Sequence, residues 1–146
     1  MEITILATGS RGDVQPFVAL GVGLQQAGYQ VRFVSNAYFE AFVGRYGLGF
    51  RPLQGDIQAG LQSELGQQYL RSGNLLTGLK YMTREIPRWY AHIQAQAWQA
   101  CRNSECLLYS LIDVYGYDIA QKLGVPAIQG HPQSLTPTRA FPVPSL

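Results

Sequence analysis

The chain has 146 residues, a length that fits one domain with a substantial buried core. Hydrophobic residues make up 47% of it, and charged residues only 14%, below the roughly 25% that is usual for soluble domains. Because the share of charged residues is low, we predict that part of the surface of this domain is covered by something else and not exposed to solvent. A net charge of +2, without a basic run or a motif of stacking aromatics, argues against a nucleic-acid partner.

The remaining composition argues against metal binding, secretion and membrane insertion. Cys101 and Cys106 do not form a Cys-x-x-Cys pair, and two histidines give no zinc spacing, so we predict no metal site. The first residues read as a strand without a preceding basic segment, and no run of eighteen apolar residues follows. The sequence therefore predicts a cytoplasmic protein with reduced thiols and neither a signal peptide nor a membrane span.

The first 35 residues have the pattern of a strand, a helix and a second strand. A β-branched apolar run near residues 2–8 predicts a strand that is buried on both faces. Apolar residues then recur at mostly helical spacing from Val14 to Leu24, with Pro16 expected in the first turn and Asp13 expected as the N-cap. Gly28 is expected to end the helix, and residues 30–35 read as the second strand.

The turn between the first strand and the helix contains no common phosphate-binding pattern. Its residues, Thr8 to Asp13, read TGSRGD, which lacks Gly-x-Gly-x-x-Gly and is not followed by Gly-Lys-Ser/Thr. This disfavours a nucleotide-binding protein of the flavodoxin type, and the Arg-Gly-Asp tripeptide is best explained as chance. Two readings of Asp13 stay open: a helix cap, or a carboxylate at the strand end where open α/β sheets bind ligands.

The rest of the chain continues the alternation of helices and strands. The predicted elements are a helix at 37–46, a strand at 49–53, a marginal helix within 54–74, a kinked helix at 75–102, strands at 105–110 and 125–130, and a helix at 114–123. The predicted fold class is α/β: a doubly wound, Rossmann-like parallel sheet of at least five strands in the order 3-2-1-4-5, with helices on both faces.

Polar residues beyond the first turn supply further candidates. Asp113 reads as the N-cap of the helix at 114–123, or as a residue that lines the same crevice as Asp13. His131 directly follows the fifth strand and is a candidate for the same crevice. A cationic stripe repeats every four residues along the predicted helix at 75–102, and it is read either as a solvated face or as a contact with anionic lipid: Lys80, Arg84 and Arg88.

Two motifs, one at each end of the chain, resemble a known family. The first is TGSRGDVQPFVAL at 8–20, followed by LQQAGYQV at 24–31; the second is LGVP at 123–126, followed by QSLTPTRAFP at 133–142. Together they resemble the amino-terminal, acceptor-binding domain of nucleotide-sugar-dependent glycosyltransferases of the GT-B fold. The resemblance is strongest to sterol glucosyltransferases and to the glycosyltransferases of glycopeptide and macrolide antibiotics.

The resemblance implies an inverting transfer of a hexose from a UDP-sugar to the hydroxyl of a lipophilic acceptor. In that family an aspartate in the matching G-D-V-x-P turn is the proposed base, which corresponds to Asp13. A separate carboxy-terminal domain holds most of the donor, so we expect residues 1–146 to be a single acceptor-binding domain that is inactive alone and needs no cofactor. The candidate acceptor-binding residues are Ser10, Arg11, Gly12, Asp113, His131 and Gln133.

An alternative from another functional class stays open. The same Rossmann-like crevice can belong to a non-catalytic module that binds a small molecule or a partner protein. The two hypotheses differ in whether a nucleotide-sugar-binding domain works together with this one.

Overall fold

A single parallel sheet organises the computed structural model, which describes residues 1–55, 67–68, 71, 83 and 90–133. Its strands are β1 (Glu2–Leu6), β2 (Gln30–Asn36), β3 (Gly49–Leu53), β4 (Cys106–Ser110) and β5 (Ala127–Gly130). They lie in the order β3-β2-β1-β4-β5, and every neighbouring pair is parallel. The predicted fold class and strand order are confirmed.

Helices connect these strands. They are α1 (Arg11–Gln26), a 3₁₀ turn (Ala37–Phe39) that leads into α2 (Glu40–Gly44), α3, which covers residues 90–101 of the described chain, and α4 (Tyr115–Leu123). Gly28 and Gly124 follow α1 and α4 with φ values of 90° and 70°, a conformation that glycine adopts without a steric penalty.

The central strand β1 separates two hydrophobic cores. Ile5 pairs with Phe33 of β2 and Leu108 of β4, and all three side chains belong to the core beneath α1. Its neighbour Leu6 points to the other face, because successive strand residues alternate, and joins the core beneath α3 and α4. Burial on both faces explains why β1 is a continuous apolar run.

The start of α1 corrects one prediction. The helix begins at Arg11, with Ser10 as its N-cap and Asp13 as its third residue, so the assignment of Asp13 as the N-cap is wrong. The cause is the Ser10 carbonyl, which already accepts the N–H of Val14 at 3.1 Å and closes the first helical turn. Pro16 consequently lies in the second turn of the helix and not in the first.

Several sequence predictions fall on residues outside the described ranges. These are most of the segment 54–74, the first part of the predicted helix at 75–102, and the cationic stripe of Lys80, Arg84 and Arg88. Residues 90–101 are helical as predicted. Among the helices of the described ranges, none combines the length and the apolar character that crossing a membrane requires.

The packing of α4 on β4 gives a testable prediction. A Cβ atom added to Gly116 would lie 2.7 Å from both Cβ and Cγ of Tyr109, two atoms close to the backbone of a buried strand. We expect Gly116→Ala to lower the free energy of unfolding by about 1–3 kcal/mol, because the helix must move away from the sheet. Chemical denaturation measures this change.

Gly23→Ala is the matched control in α1. A Cβ atom at Gly23 has nothing within 4 Å, so alanine there should raise stability by up to about 1 kcal/mol through helix propensity alone. An equal gain from both substitutions would show that α4 does not pack against Tyr109 as described.

Candidate functional site

A crevice of about 100 Å³ opens at the carboxyl edge of the sheet. Three segments surround it: the start of α1, the loop between β4 and α4, and the residues after β5. Its lining consists of Gly12, Asp13, Phe17, Ser110, Leu111, Ile112, His131, Pro132 and Gln133. Because β1 and β4 are adjacent and β1 connects on its other side to β2, the crevice lies beside the point where the strand order reverses, which is the usual ligand site of this fold.

The carboxylate of Asp13 is held in one orientation by its own turn. Its Oδ2 accepts a hydrogen bond from the Ser10 N–H at 2.8 Å and another from the Ser10 hydroxyl at 2.7 Å. Both donors reach the same oxygen, and the described part of the chain provides no hydrogen bond to Oδ1. Asp13 is half-buried and lines the crevice, so it can present an accepting oxygen to a ligand.

Glycine at position 9 allows the turn to pass close to the Asp13 carboxylate and to Ile112. Its φ of 113° lies in the region that favours glycine, and a Cβ atom there would be 2.7 Å from Asp13 Oδ2 and 2.9 Å from Ile112 Cδ1. The turn is tied to the chain after β2 as well, since the hydroxyl of Tyr38 donates to the Gly9 carbonyl at 2.8 Å. A side chain at position 9 would therefore displace the carboxylate of Asp13 or the wall of the crevice.

The opposite wall begins directly after β5. His131, Pro132 and Gln133 follow Gly130 and are exposed. A Cβ atom at Gly130 would lie 2.5 Å from the ring of Phe17, so glycine at the strand end lets this apolar ring sit at the base of the crevice. The site thus joins an ionisable carboxylate and an imidazole to an apolar surface.

Asp113 lies beneath the crevice, not in its lining. Its side chain is 1% exposed and accepts four hydrogen bonds: from the Thr8 N–H at 2.7 Å, the Thr8 hydroxyl at 2.6 Å, the Ser110 hydroxyl at 2.7 Å and the Tyr115 hydroxyl at 2.9 Å. The N-cap of α4 is Val114 and the helix has no side-chain cap, so the N-cap prediction for Asp113 is wrong. Burial raises the pKa of this carboxyl, and its hydrogen bonds oppose that shift.

Two of the other candidates, Ser10 and Arg11, are also absent from the crevice lining. Ser10 directs its hydroxyl to Asp13, and the guanidinium of Arg11 lies 5.0 Å from the ring centre of Phe42, with its Nε 3.1 Å from Gln15 Oε1. The structure therefore brings together Gly12, Asp13, His131 and Gln133 of the candidate residues, and does not bring Ser10, Arg11 or Asp113 into the lining.

Sequence reasoning missed the loop that follows β4. Ser110, Leu111 and Ile112 form one wall of the crevice. The signal was present, because parallel strands end at one edge of the sheet and residues just after β4 must lie near those after β1. Thr8 was missed as a partner of Asp113, since no local pattern identifies a hydrogen bond across 105 residues. Tyr115 was missed as well, although it is only two residues from Asp113.

Sequence comparison relates the chain to one family of enzymes. Residues 3–112 match the glycosyltransferase family 28 N-terminal domain. The chain is 35% identical over 142 residues to a sterol 3-beta-glucosyltransferase of Candida albicans and 34% identical over 142 residues to that of Pichia angusta. These matches cover 97% of the chain but only 9% and 11% of the relatives, so the chain spans about a tenth of their length.

Solved structures of glycosyltransferases have a similar fold. The kitacinnamycin glycosyltransferase has a TM-score of 0.69 at 19% identity, over 93% of this chain and 31% of that one. The Streptomyces sp. SF2575 glycosyltransferase SsfS6 has a TM-score of 0.66 at 24% identity, over 90% and 39%. The resemblance predicted from the end motifs is confirmed: this chain belongs to the glycosyltransferase family 28 N-terminal domain family.

Proposed function

We propose that this chain is the acceptor-binding half of an inverting glycosyltransferase. It binds a lipophilic hydroxyl compound, of sterol, lipid or polyketide type, and presents the hydroxyl to a hexose of a UDP-sugar. Asp13 acts as the general base that removes the hydroxyl proton as the oxygen attacks the sugar. The similarity to sterol 3-beta-glucosyltransferases supports a sterol-like acceptor and glucose as the first compounds to test.

The observation that carries this proposal is the orientation of Asp13. A base must come within hydrogen-bond reach of the oxygen that it deprotonates. Ser10 restrains Oδ2 of this carboxylate, which lines a crevice at the ligand-binding edge of the sheet. The apolar Phe17, Leu111 and Ile112 beside it suit the carbon skeleton next to a hydroxyl better than they suit a phosphate.

The size of the crevice limits what it holds. Pockets that enclose a drug-sized ligand usually measure about 300–1,000 Å³, whereas this crevice measures about 100 Å³. It fits the hydroxyl-bearing end of an acceptor, and the remaining skeleton must contact further surface. Gln133 and His131 at the rim are placed to hydrogen-bond polar groups beside the reacting hydroxyl.

The donor requires a second binding surface. The described residues contain no glycine-rich phosphate loop, and the Asp13 carboxylate lies in the first turn of α1, where its negative charge repels a diphosphate. SsfS6, a structural neighbour, has been solved with thymidine diphosphate, and this chain covers only 38% of that enzyme. We therefore propose that a second domain binds the UDP-sugar and closes over the crevice.

A transfer assay with two protein samples tests this function. The full-length gene product and the isolated 146-residue chain are incubated with UDP-glucose and a panel of sterols and phenols, and products are identified by mass spectrometry. We expect a glycoside from a protein that includes the donor domain and none from the isolated chain. Turnover by the isolated chain would refute the division of the site, and a full-length product that binds the panel without transfer would favour the non-catalytic binding module.

A further inference from the structure

The buried carboxylate of Asp113 lies directly below the turn from Thr8 to Asp13, which carries the proposed base. Asp113 accepts four hydrogen bonds, and two of them come from Thr8, the second residue after β1. A carboxylate with such low exposure is costly unless its hydrogen bonds are satisfied, so these contacts are demanding in geometry. The position of Thr8 is consequently fixed by a residue 105 positions later in the chain.

The turn from Thr8 to Asp13 transmits this restraint to the crevice. Gly9 and Ser10 directly follow Thr8, and the Ser10 N–H and hydroxyl both donate to Asp13 Oδ2. Gly9 is held on both sides: its N–H donates to Asn36 Oδ1 at 3.3 Å, and its carbonyl accepts from Tyr38. A short, restrained segment therefore connects Asp113 to the carboxylate of Asp13.

The carboxylate of Asp113 also holds the wall of the crevice that Ser110, Leu111 and Ile112 form. Ser110, which lines the crevice, donates its hydroxyl to Asp113 Oδ2 at 2.7 Å and accepts the N–H of Ile112 at 3.2 Å. Asp113 thus fixes the turn from Thr8 to Asp13 relative to the loop after β4, although it does not itself line the crevice.

We propose that Asp113 is a positioning residue, which holds the Thr8–Asp13 turn against the loop after β4 so that the Asp13 carboxylate faces the crevice. This assignment rests on the proposed function of Asp13. Asp113 acts through Thr8 and Ser10 and has no contact with the reacting atoms.

Two hydroxyls that donate to the same oxygen make a matched pair of variants. Thr8 and Tyr115 both donate to Asp113 Oδ1, at 2.6 Å and 2.9 Å, but only Thr8 belongs to the turn that ends at Asp13. Thr8→Val removes one hydroxyl and keeps the branched shape and the backbone N–H. Tyr115→Phe removes the other hydroxyl on the side of α4. Thr8→Ser keeps the hydroxyl and serves as the conservative rescue.

Nuclear magnetic resonance on the 146-residue chain measures the result without any substrate. We expect Thr8→Val to shift the carboxyl ¹³C resonance of Asp13 and to speed the exchange of the Ser10 amide by about tenfold, which corresponds to about 1.4 kcal/mol of local opening. Tyr115→Phe should leave both signals unchanged, and Thr8→Ser should restore them. In the full-length gene product with UDP-glucose, kcat should fall in Thr8→Val at constant KM.

Equal effects of Thr8→Val and Tyr115→Phe on the Asp13 and Ser10 signals would overturn the proposal, because Asp113 would then support only the general packing of the domain. Unchanged signals in Thr8→Val would overturn it as well. The proposed function fails separately: an Asp13→Asn enzyme with full turnover would refute the base, while the exchange data would still establish that Asp113 positions the turn.

Discussion

Replacing Asp13 with asparagine is expected to lower turnover by about 10²–10⁴-fold, the usual contribution of a positioned general base. The asparagine side-chain oxygen can still accept from the Ser10 N–H and hydroxyl, so the turn should keep its shape. Loss of a negative charge in the first turn of α1 costs about 0.3–1 kcal/mol through the helix dipole. The variant should therefore fold, bind the acceptor and fail to deprotonate it.

Asp118→Asn is the control for this substitution. Asp118 is an exposed carboxylate in the first turn of α4 and does not line the crevice, so its loss should change stability equally little and leave turnover intact. Steady-state kinetics of both variants in the full-length gene product, with UDP-glucose, make the comparison. Wild-type turnover in Asp13→Asn would end the assignment of the base, and a complete loss in His131→Ala alone would move it to the loop after β5.

Filling the crevice should weaken acceptor binding strongly. Gly12 lines it, and a Cβ atom there meets nothing closer than the Ser10 hydroxyl at 3.6 Å, so a larger residue is tolerated by the backbone. An indole is large compared with a crevice of about 100 Å³. We expect Gly12→Trp to weaken acceptor binding by on the order of 100-fold, equivalent to about 2.7 kcal/mol, with the free energy of unfolding changed by less than about 1 kcal/mol.

The same substitution elsewhere on α1 controls for the tryptophan itself. Gly23 is exposed, and a Cβ atom added there has nothing within 4 Å. Gly23→Trp should therefore bind the acceptor like the unsubstituted chain, as measured by calorimetric titration with a water-soluble hydroxysteroid. Undiminished binding by Gly12→Trp would place the acceptor outside the crevice.

The strands could be predicted because each is indicated by its own residues and by those directly around it. Ile3 to Leu6 form a short run rich in β-branched residues, and each later strand contains apolar residues and is separated from the next by a helical pattern. Parallel strands joined by right-handed helical connections allow few topologies, and the observed order 3-2-1-4-5 is one of the common doubly wound orders that fit this alternation. Helix starts were less predictable, because Ser10 and Asp13 both suit an N-cap and the choice depends on which carbonyl closes the first turn.

The site was predicted only in part, for a physical reason. Gly12, Asp13 and His131 follow strand ends, a position that can be read from the sequence, and the structure places all three around one crevice. Asp113 also follows a strand end, yet its side chain turns inward and accepts hydrogen bonds from Thr8, 105 residues earlier in the chain. The direction of a side chain after a strand depends on partners far away in sequence, and a single sequence does not show them.

The central claim is that this domain presents an acceptor hydroxyl to Asp13. The most direct measurement is a nuclear magnetic resonance titration of the 146-residue chain with a hydroxysteroid and, separately, with the matching ketosteroid. We predict that the hydroxysteroid shifts the amides of Gly12, His131 and Gln133 together with the Asp13 carboxyl carbon, and that the ketosteroid leaves that carbon unchanged because it has no proton to donate. Shifts confined to residues away from the crevice, or an identical response of Asp13 to both steroids, would contradict the claim.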